Sequence, residues 1–521
     1  MSAGKGLSRR AAMGGALAGA AFLGSPALSA ALGKSDPRVL NYRGFIDRGV
    51  PAFWGIRYAR ARRFDRPVRE PLPGGETSAT HFGPLCPQRN PMTAEMSEDC
   101  LFLNIWSPDP SPAARRPVMV YFHGGAYNWG SVTDPITQGP HLAAEGDVVV
   151  VSVNHRINLF GYGWLHPFGE RFRHSGNAGQ LDLICALEWI RDHIGAFGGD
   201  PDRVMVFGQS GGGAKIATLM AMPAASGLFH SAATMSGQQV TAQGPGNAWQ
   251  RTRALMHELG LGEHDFAALL TLPHERLVEG LSAIDPVLGG GIYFGPVLDM
   301  VHLHRHPFWP DAAAQSLDIP MILGNTSDET RAFIRTDGPV VHGLDWSNIA
   351  ARLAPQIKID LRPDWVVAQY RARFPHWSAQ DVFYAATTAG RSWPGQVIEA
   401  DRRAEAGAQS TWVYQLDRES PLDPARGAAH TDDLPYVFGT LDAPGSYSGT
   451  GARAREISNA MIAAFAGMAH NGRPGLADWL PYRLPDRATL MIAQDRIAVE
   501  DDPRRWQREL WAKAPYIQPG S

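Results

Sequence analysis

Residues 204–222 read VMVFGQSGGGAKIATLMAM, and the fold turns on the five in the middle. The apolar run before them reads as a strand and the run after them as a helix. Gly208-Gln209-Ser210-Gly211-Gly212 therefore falls on a strand–turn–helix corner. That is the setting of the G-x-S-x-G nucleophile elbow, in which a serine hydroxyl stands at the top of a sheet with a helix N-terminus beneath it. Glycines on either side let the backbone turn sharply where a Cβ would collide with neighbouring elements. A phosphate-binding glycine loop is the alternative, but the Lys-Ser/Thr ending of a P-loop is missing. With 56 glycines in 521 residues, such a pentapeptide arises by chance too readily to decide the matter alone.

Outward from this corner, LFLNIWS, PVMVYF, DVVVVSVN, DRVMVF, HSAATM, IPMILG and STWVYQL read as strands. They alternate with helical patterns at 178–196, 213–222, 247–259, 455–470 and 503–512. The unbroken apolar character of PVMVYF and VVVVSV predicts burial on both faces. The expected fold class is α/β, a central, mostly parallel sheet flanked by helices. The stretch from about 240 to 400, rich in helical segments and Pro/Gly loops, is expected to lie over the sheet's carboxyl edge, where open α/β sheets bind ligands.

A serine hydroxyl attacks poorly unless a base takes its proton and a third group orients that base. It also needs donors aimed at the oxyanion of a tetrahedral intermediate. VYFHGGAYNWGS, residues 120–131, places His123-Gly124-Gly125 directly after a strong strand, as an oxyanion loop requires. Gly124 and Gly125 would offer backbone N–H groups, and Gly211 a third.

Several further stretches follow in order: FWGIRYARARRF, SEDCLFLNIWSP, NHRINLFGY, the block from Gly176 through GQSGGG, LFHSAATMSGQ, GPVLDM, ILGNTSDETRAF and HTDDLPYVFG. Together they make the chain resemble the type-B carboxylesterases, the α/β-hydrolase family of bacterial p-nitrobenzyl esterases and cholinesterases, from about residue 38 to 495. The resemblance implies an α/β-hydrolase fold with helical insertions over the active site, and one catalytic domain over residues 31–521. It implies hydrolysis of carboxylic esters through an acyl-enzyme, with no cofactor and no metal. Carried over position by position, the family pattern makes Ser210 the nucleophile, Glu329 the orienting carboxylate and His430 the base. The order Ser, Glu, His is that of α/β-hydrolases. Asp328, next to Glu329, is the rival acid. The pattern also implies an oxyanion hole of Gly124, Gly125 and Gly211, support from Ser236 near the nucleophile, a Cys86–Cys100 disulfide, and ion pairs Arg63–Glu98 and Arg156–Asp182.

The chain departs from the family in three places. The usual G-E-S-A-G is here G-Q-S-G-G, so Gln209 removes a negative charge beside the nucleophile and a preference for cationic substrates is not expected. Asn158 and Thr330 stand where glycine is common.

Composition bounds the rest. A 44% hydrophobic, 19% charged chain suits a soluble globular protein, and a formal net charge of −3 points to no nucleic-acid or membrane partner. Residues 1–30 differ. Lys5, Arg9 and Arg10 precede an Ala/Gly-rich apolar stretch and small residues, the pattern of a cleavable export signal, and Ser8-Arg9-Arg10 suggests the twin-arginine type. The stretch is too short and weakly hydrophobic to span a bilayer, so a mature chain without an integral membrane segment is expected, in the periplasm or secreted. An oxidising compartment would allow Cys86 and Cys100 to pair, whereas Cys185 lies in a helical apolar pattern and reads as a buried thiol. His302, His304 and His306 alternate as they would on one strand face, but read as surface loop histidines rather than metal ligands. Tyr127, Trp129, Trp54 and Phe294 are candidate walls of an aromatic pocket.

The expected activity is a serine hydrolase acting on small-molecule esters, which by resemblance include aromatic or bulky ones. An amide or carbamate hydrolase with the same triad, an interfacial lipase, and a non-catalytic cholinesterase-like interaction domain are the alternatives. The acyl and alcohol groups and the oligomeric state are not legible in the sequence.

Overall fold

The seven apolar runs become strands, and all seven lie inside the main sheet; four of them carry valine, whose β-branched side chain packs well on a pleated surface. In the computed structural model, residues 36–89, 94–391, 393–518 and 520–521 are described. Residues 1–35, on which the export-signal reading falls, lie outside them. Pro37–Ser521 forms one compact unit.

Its main sheet has eleven strands: β1 (Phe45–Asp47), β2 (Val50–Arg57), β3 (Phe102–Trp106), β4 (Arg116–Phe122), β5 (Val149–Val153), β6 (Gly199–Gln209), β7 (Ser231–Met235), β8 (Met321–Thr326), β9 (Thr411–Leu416), β10 (Ala488–Ile492) and β11 (Ile497–Asp501). Their order is β11-β10-β9-β8-β7-β6-β4-β5-β3-β2-β1. From β10 to β5 every pairing is parallel, and antiparallel strands close both edges. Val120 pairs with Val151 on one side and Val206 on the other.

The period of two along each strand sorts the core into two layers. Val118, Val120 and Phe122 face α1 (Ala178–His193) and α2 (Gly211–Leu219) through Leu183, Leu187, Ile216 and Leu219. Met119, Tyr121, Met205 and Phe207 face the other way, onto Ile457, Met461 and Phe465 of a long helix, Ala452–Asn471. The fold is the α/β-hydrolase fold: a large, mostly parallel sheet between helices.

The stretch expected over the carboxyl edge is divided. Leu255, Met256, Leu277 and Phe294 belong to the first layer of the main core. Helices Pro363–Arg373 and Ala379–Ala389 instead build a separate cluster with Ile334, Val341 and Leu353, closed by Leu510 and Trp511 from the C-terminal helix. Among the described residues no helix is long and apolar enough to cross a membrane.

Candidate active site

Strand β6 ends at Gln209 and helix α2 begins at Gly211, so Ser210 alone makes the corner. Its φ of 55° and ψ of −123° lie where an L-residue is strained, at a cost of about 1–3 kcal/mol. The surroundings hold it there. The Ser210 N–H donates to the Met235 carbonyl at 2.7 Å, and the Ser210 carbonyl accepts the Ala214 N–H at 3.0 Å. At Gly211 a Cβ would stand 1.9 Å from the Ala126 carbonyl oxygen, so that approach requires glycine.

Ala126 belongs to the loop after β4. Gly124 lies against the corner: a Cβ on it would be 3.0 Å from the Gln209 carbonyl oxygen and 3.4 Å from Ser210 Cβ. Gly125 has φ +83°, and a Cβ there would meet the Trp129 carbonyl oxygen at 2.1 Å. Among the described residues, the N–H groups of Gly124 and Gly125 donate to no partner. Gly211, first in its helix, has an N–H left free of the helical ladder.

One buried cation fastens this loop. Lys215 on α2 is fully buried, and its Nζ donates to the carbonyls of His123 and Ala126, both at 3.0 Å. Burial pulls its pKa down to about 7. His123, stacked on His155 at 4.5 Å, is held neutral, its pKa lowered to about 3 by burial and then by the Lys215 charge. Its Nδ1–H donates to the Gly124 carbonyl at 3.0 Å.

His430 lies between β9 and the short helix Leu434–Phe438. Its Nδ1 bonds Glu329 Oε2 in a very short contact. The other Glu329 oxygen accepts Ser236 Oγ–H at 2.6 Å and the Thr326 N–H at 2.8 Å. Burial pushes the Glu329 pKa up, but the His430 charge and these three hydrogen bonds outweigh it and leave the carboxyl below its ordinary value. Asp328 points elsewhere, accepting Arg331 Nε–H at 3.0 Å. Thr330, in place of the common glycine, bonds Thr387 at 2.6 Å.

Structure and sequence differ at the other face of the imidazole. Nε2 accepts a 3.0 Å hydrogen bond from the Gln209 amide, and Ser210 Oγ makes none to the ring. The glutamine next to the serine, and not the serine itself, thus engages the imidazole. The contact of Gln209 with His430, the Lys215 clamp and the half-exposed Phe333 ring, 4.8 Å from the imidazole, were not legible beforehand. The one signal was chemical: Lys215 is a lone charge in an otherwise small and apolar helix.

Arg156 and Asp182 form a buried pair at 2.7 Å, and Arg63 bonds Glu98 while its Nη1 caps the Leu269 and Leu272 carbonyls at 2.8 Å. Asn158 has φ +47°, a conformation asparagine tolerates better than most residues. The expected Cys86–Cys100 disulfide is not formed: both are free, buried thiols. They are neighbours, but the hydrogen bond with Cys86, followed by burial, holds the Cys100 thiol well above its ordinary pKa, so it offers no thiolate to react. The three histidines lie on no strand. His302 meets His174 at 2.6 Å, His304 reaches the Val301 carbonyl, and His306 accepts the Ala242 N–H. Tyr127 and Phe294 are fully buried core, and Trp54 stacks on Phe82; of the four aromatic candidates only Trp129, half exposed, lies against the glycine loop.

The carboxylesterase family model matches residues 38–511. The chain is 32% identical to the para-nitrobenzyl esterase of Bacillus subtilis, over 90% of this chain and 96% of that one. It is 30% identical to the phenmedipham hydrolase of Pseudarthrobacter oxydans, over 89% and 95%. The solved carboxylesterase EST55 of Geobacillus stearothermophilus superposes with a TM-score of 0.80 at 34% identity, covering 90% of this chain and 98% of that one.

Proposed function

This chain belongs to the carboxylesterase family and is a serine hydrolase of carboxylic esters; we propose that Ser210 is its nucleophile, His430 its base and Glu329 the carboxylate that orients the base. The observation that carries this reading is the placement of one imidazole, with Nδ1 on Glu329 and Nε2 turned to the Gln209–Ser210 corner. With Nδ1 donating to Glu329, the neutral ring presents its lone pair at Nε2, the tautomer a base needs. As substrate seats, Ser210 Oγ takes Nε2 in place of the Gln209 amide. The ring accepts the serine proton, Oγ bonds the ester carbonyl carbon, and the oxyanion collects the N–H groups of Gly124, Gly125 and Gly211. Glu329 stabilises the imidazolium, which returns the proton to the leaving alcohol; water then repeats the cycle on the acyl-enzyme. The exposed rings of Trp129 and Phe333 suit a bulky or aromatic substituent. On this reading residues 1–30 direct export.

The test is turnover of p-nitrophenyl butyrate and its loss to diethyl p-nitrophenyl phosphate. One equivalent should inactivate the protein, with the diethylphosphoryl mass on the peptide carrying Ser210. A label on Ser236 instead would overturn the assignment.

Gly211 gives a sharper expectation. The alanine usual in the family has no room here beside Ala126. Gly211→Ala is expected to push the glycine loop off the corner and lower kcat by about 10²–10³-fold, the effect of losing one oxyanion donor, with a smaller change in KM. Wild-type kcat in that variant would show that the loop does not depend on this approach.

A further inference from the structure

Among the described residues most buried arginines are paired through hydrogen bonds, and Arg391 is an exception. Arg156 holds Asp182, Arg251 holds Asp285 at 2.8 Å, and Arg403 donates to Thr411, Ser316 and Ile319. Arg391 is mostly buried, yet among the described residues its guanidinium has no hydrogen bond and no carboxylate; its Cζ lies 5.3 Å from the Phe333 ring. The same ring touches His430, at 4.8 Å between centroids. Phe333 is therefore a wall shared by the acyl-transfer centre and an unneutralised cation.

A second cation stands beside the first. The Lys358 N–H donates to the Gly390 carbonyl at 2.6 Å, which brings residue 358 against the segment carrying Arg391. The Lys358 ammonium has no hydrogen bond or ion pair among the described residues, and its pKa is lowered by burial and then by the Arg391 charge. Tyr293 and Tyr516 complete the surroundings and are neutral at physiological pH. Asp285, whose charge reaches Lys358, is taken up in an ion pair with Arg251. Glu399, close to Tyr516, does not supply a full charge either, since burial pushes it up to about 8. Leaving two positive groups partly desolvated without a counterion is costly, and that cost is recovered when an anion binds between them.

We propose that Arg391 and Lys358 form an anion-accepting subsite beside the catalytic centre, and that the preferred substrates are esters carrying a second, ionised carboxyl group. The inference rests on the ester-hydrolase reading and names the substrate class of that site. A carboxylate presents two oxygens that the guanidinium fork matches, and the Phe333 ring packs against the chain between carboxylate and scissile ester. Gln209, which replaces an acidic residue beside the nucleophile, removes the group that would repel such a substrate.

The experiment compares monomethyl succinate, adipate and suberate with their primary-amide isosteres, following methanol release. For one chain length the wild type should favour the acid over the amide by roughly tenfold or more in kcat/KM, a preference that shrinks at high salt. Arg391→Gln should abolish the preference through KM, and Arg391→Lys should restore part of it. A variant in which both substrates slow equally would assign Arg391 to packing alone and overturn the subsite. Equal wild-type rates on acid and amide, with p-nitrophenyl butyrate still cleaved, would overturn the subsite and leave the esterase standing. Calorimetric binding of the same acids and amides to Ser210→Ala reads the contact without turnover. Tighter binding of the acid there supports the subsite even if every ester fails to turn over, and equal dissociation constants overturn it.

Discussion

Ser210→Ala is expected to lower kcat on p-nitrophenyl butyrate by at least about 10⁵-fold, leaving only what the glycine loop and substrate binding achieve without a nucleophile. The fold should be untouched. The strain at position 210 is in the backbone, at φ 55°, and alanine bears it as serine does. Ser210→Gly separates chemistry from strain: it is equally inactive but relieves the left-handed geometry, so it should be more stable than Ser210→Ala by about 1 kcal/mol in denaturant unfolding. Two inactive variants differing in that direction would show that the corner holds the serine at a stability cost. Near wild-type turnover in the alanine variant would mean that another group attacks the ester. Ser236 is not that group on the present geometry, because its hydroxyl is committed to Glu329 at 2.6 Å.

What the sequence disclosed follows from where the information lies. The interior strands were legible because burial on both faces demands unbroken apolar runs, as in VVVVSV. Strand β2, Val50–Arg57, does not read as a strand in the sequence, since its proline and glycine disguise the period. Of the C-terminal pair, β11 is a half-buried edge strand with no clear alternation, whereas β10, ATLMI, is buried throughout and carries the same apolar signal as the strands that were legible. Glu329 and Asp328 are neighbours of equal chemistry, and only the turn that follows β8 sends one to His430 and the other to Arg331. Tyr127 and Phe294 looked like pocket walls because an aromatic residue in a loop carries no sign of which way it faces. Arg391 looks like an ordinary surface cation in a string of letters, and Lys215 shows only as a lone charge in an apolar helix. Their meaning is that nothing acidic meets them, which is a property of three-dimensional neighbours.

Those neighbours also determine what removing the carboxylate beside His430 should do. Glu329→Gln keeps shape but not charge, and is expected to reduce kcat by about 10³–10⁴-fold. The loss has two parts. The imidazolium formed during attack loses its counterion, and an amide N–H turned toward Nδ1 favours the ring tautomer with its proton on Nε2, which cannot accept one from Ser210. Asp328→Asn should cost less than about tenfold, since that carboxylate serves Arg331. Equal losses in the two variants would sink the assignment, and a larger loss at Asp328 would reverse it. The pH dependence of stability offers an independent check. Because the folded-state pKa of Glu329 is depressed, its contribution to stability is present above the unfolded value of about 4.3 and is lost as pH falls through the lower folded value. Glu329→Gln should therefore flatten the acid limb of the stability curve, whereas a carboxyl with an unperturbed pKa would leave that limb unchanged.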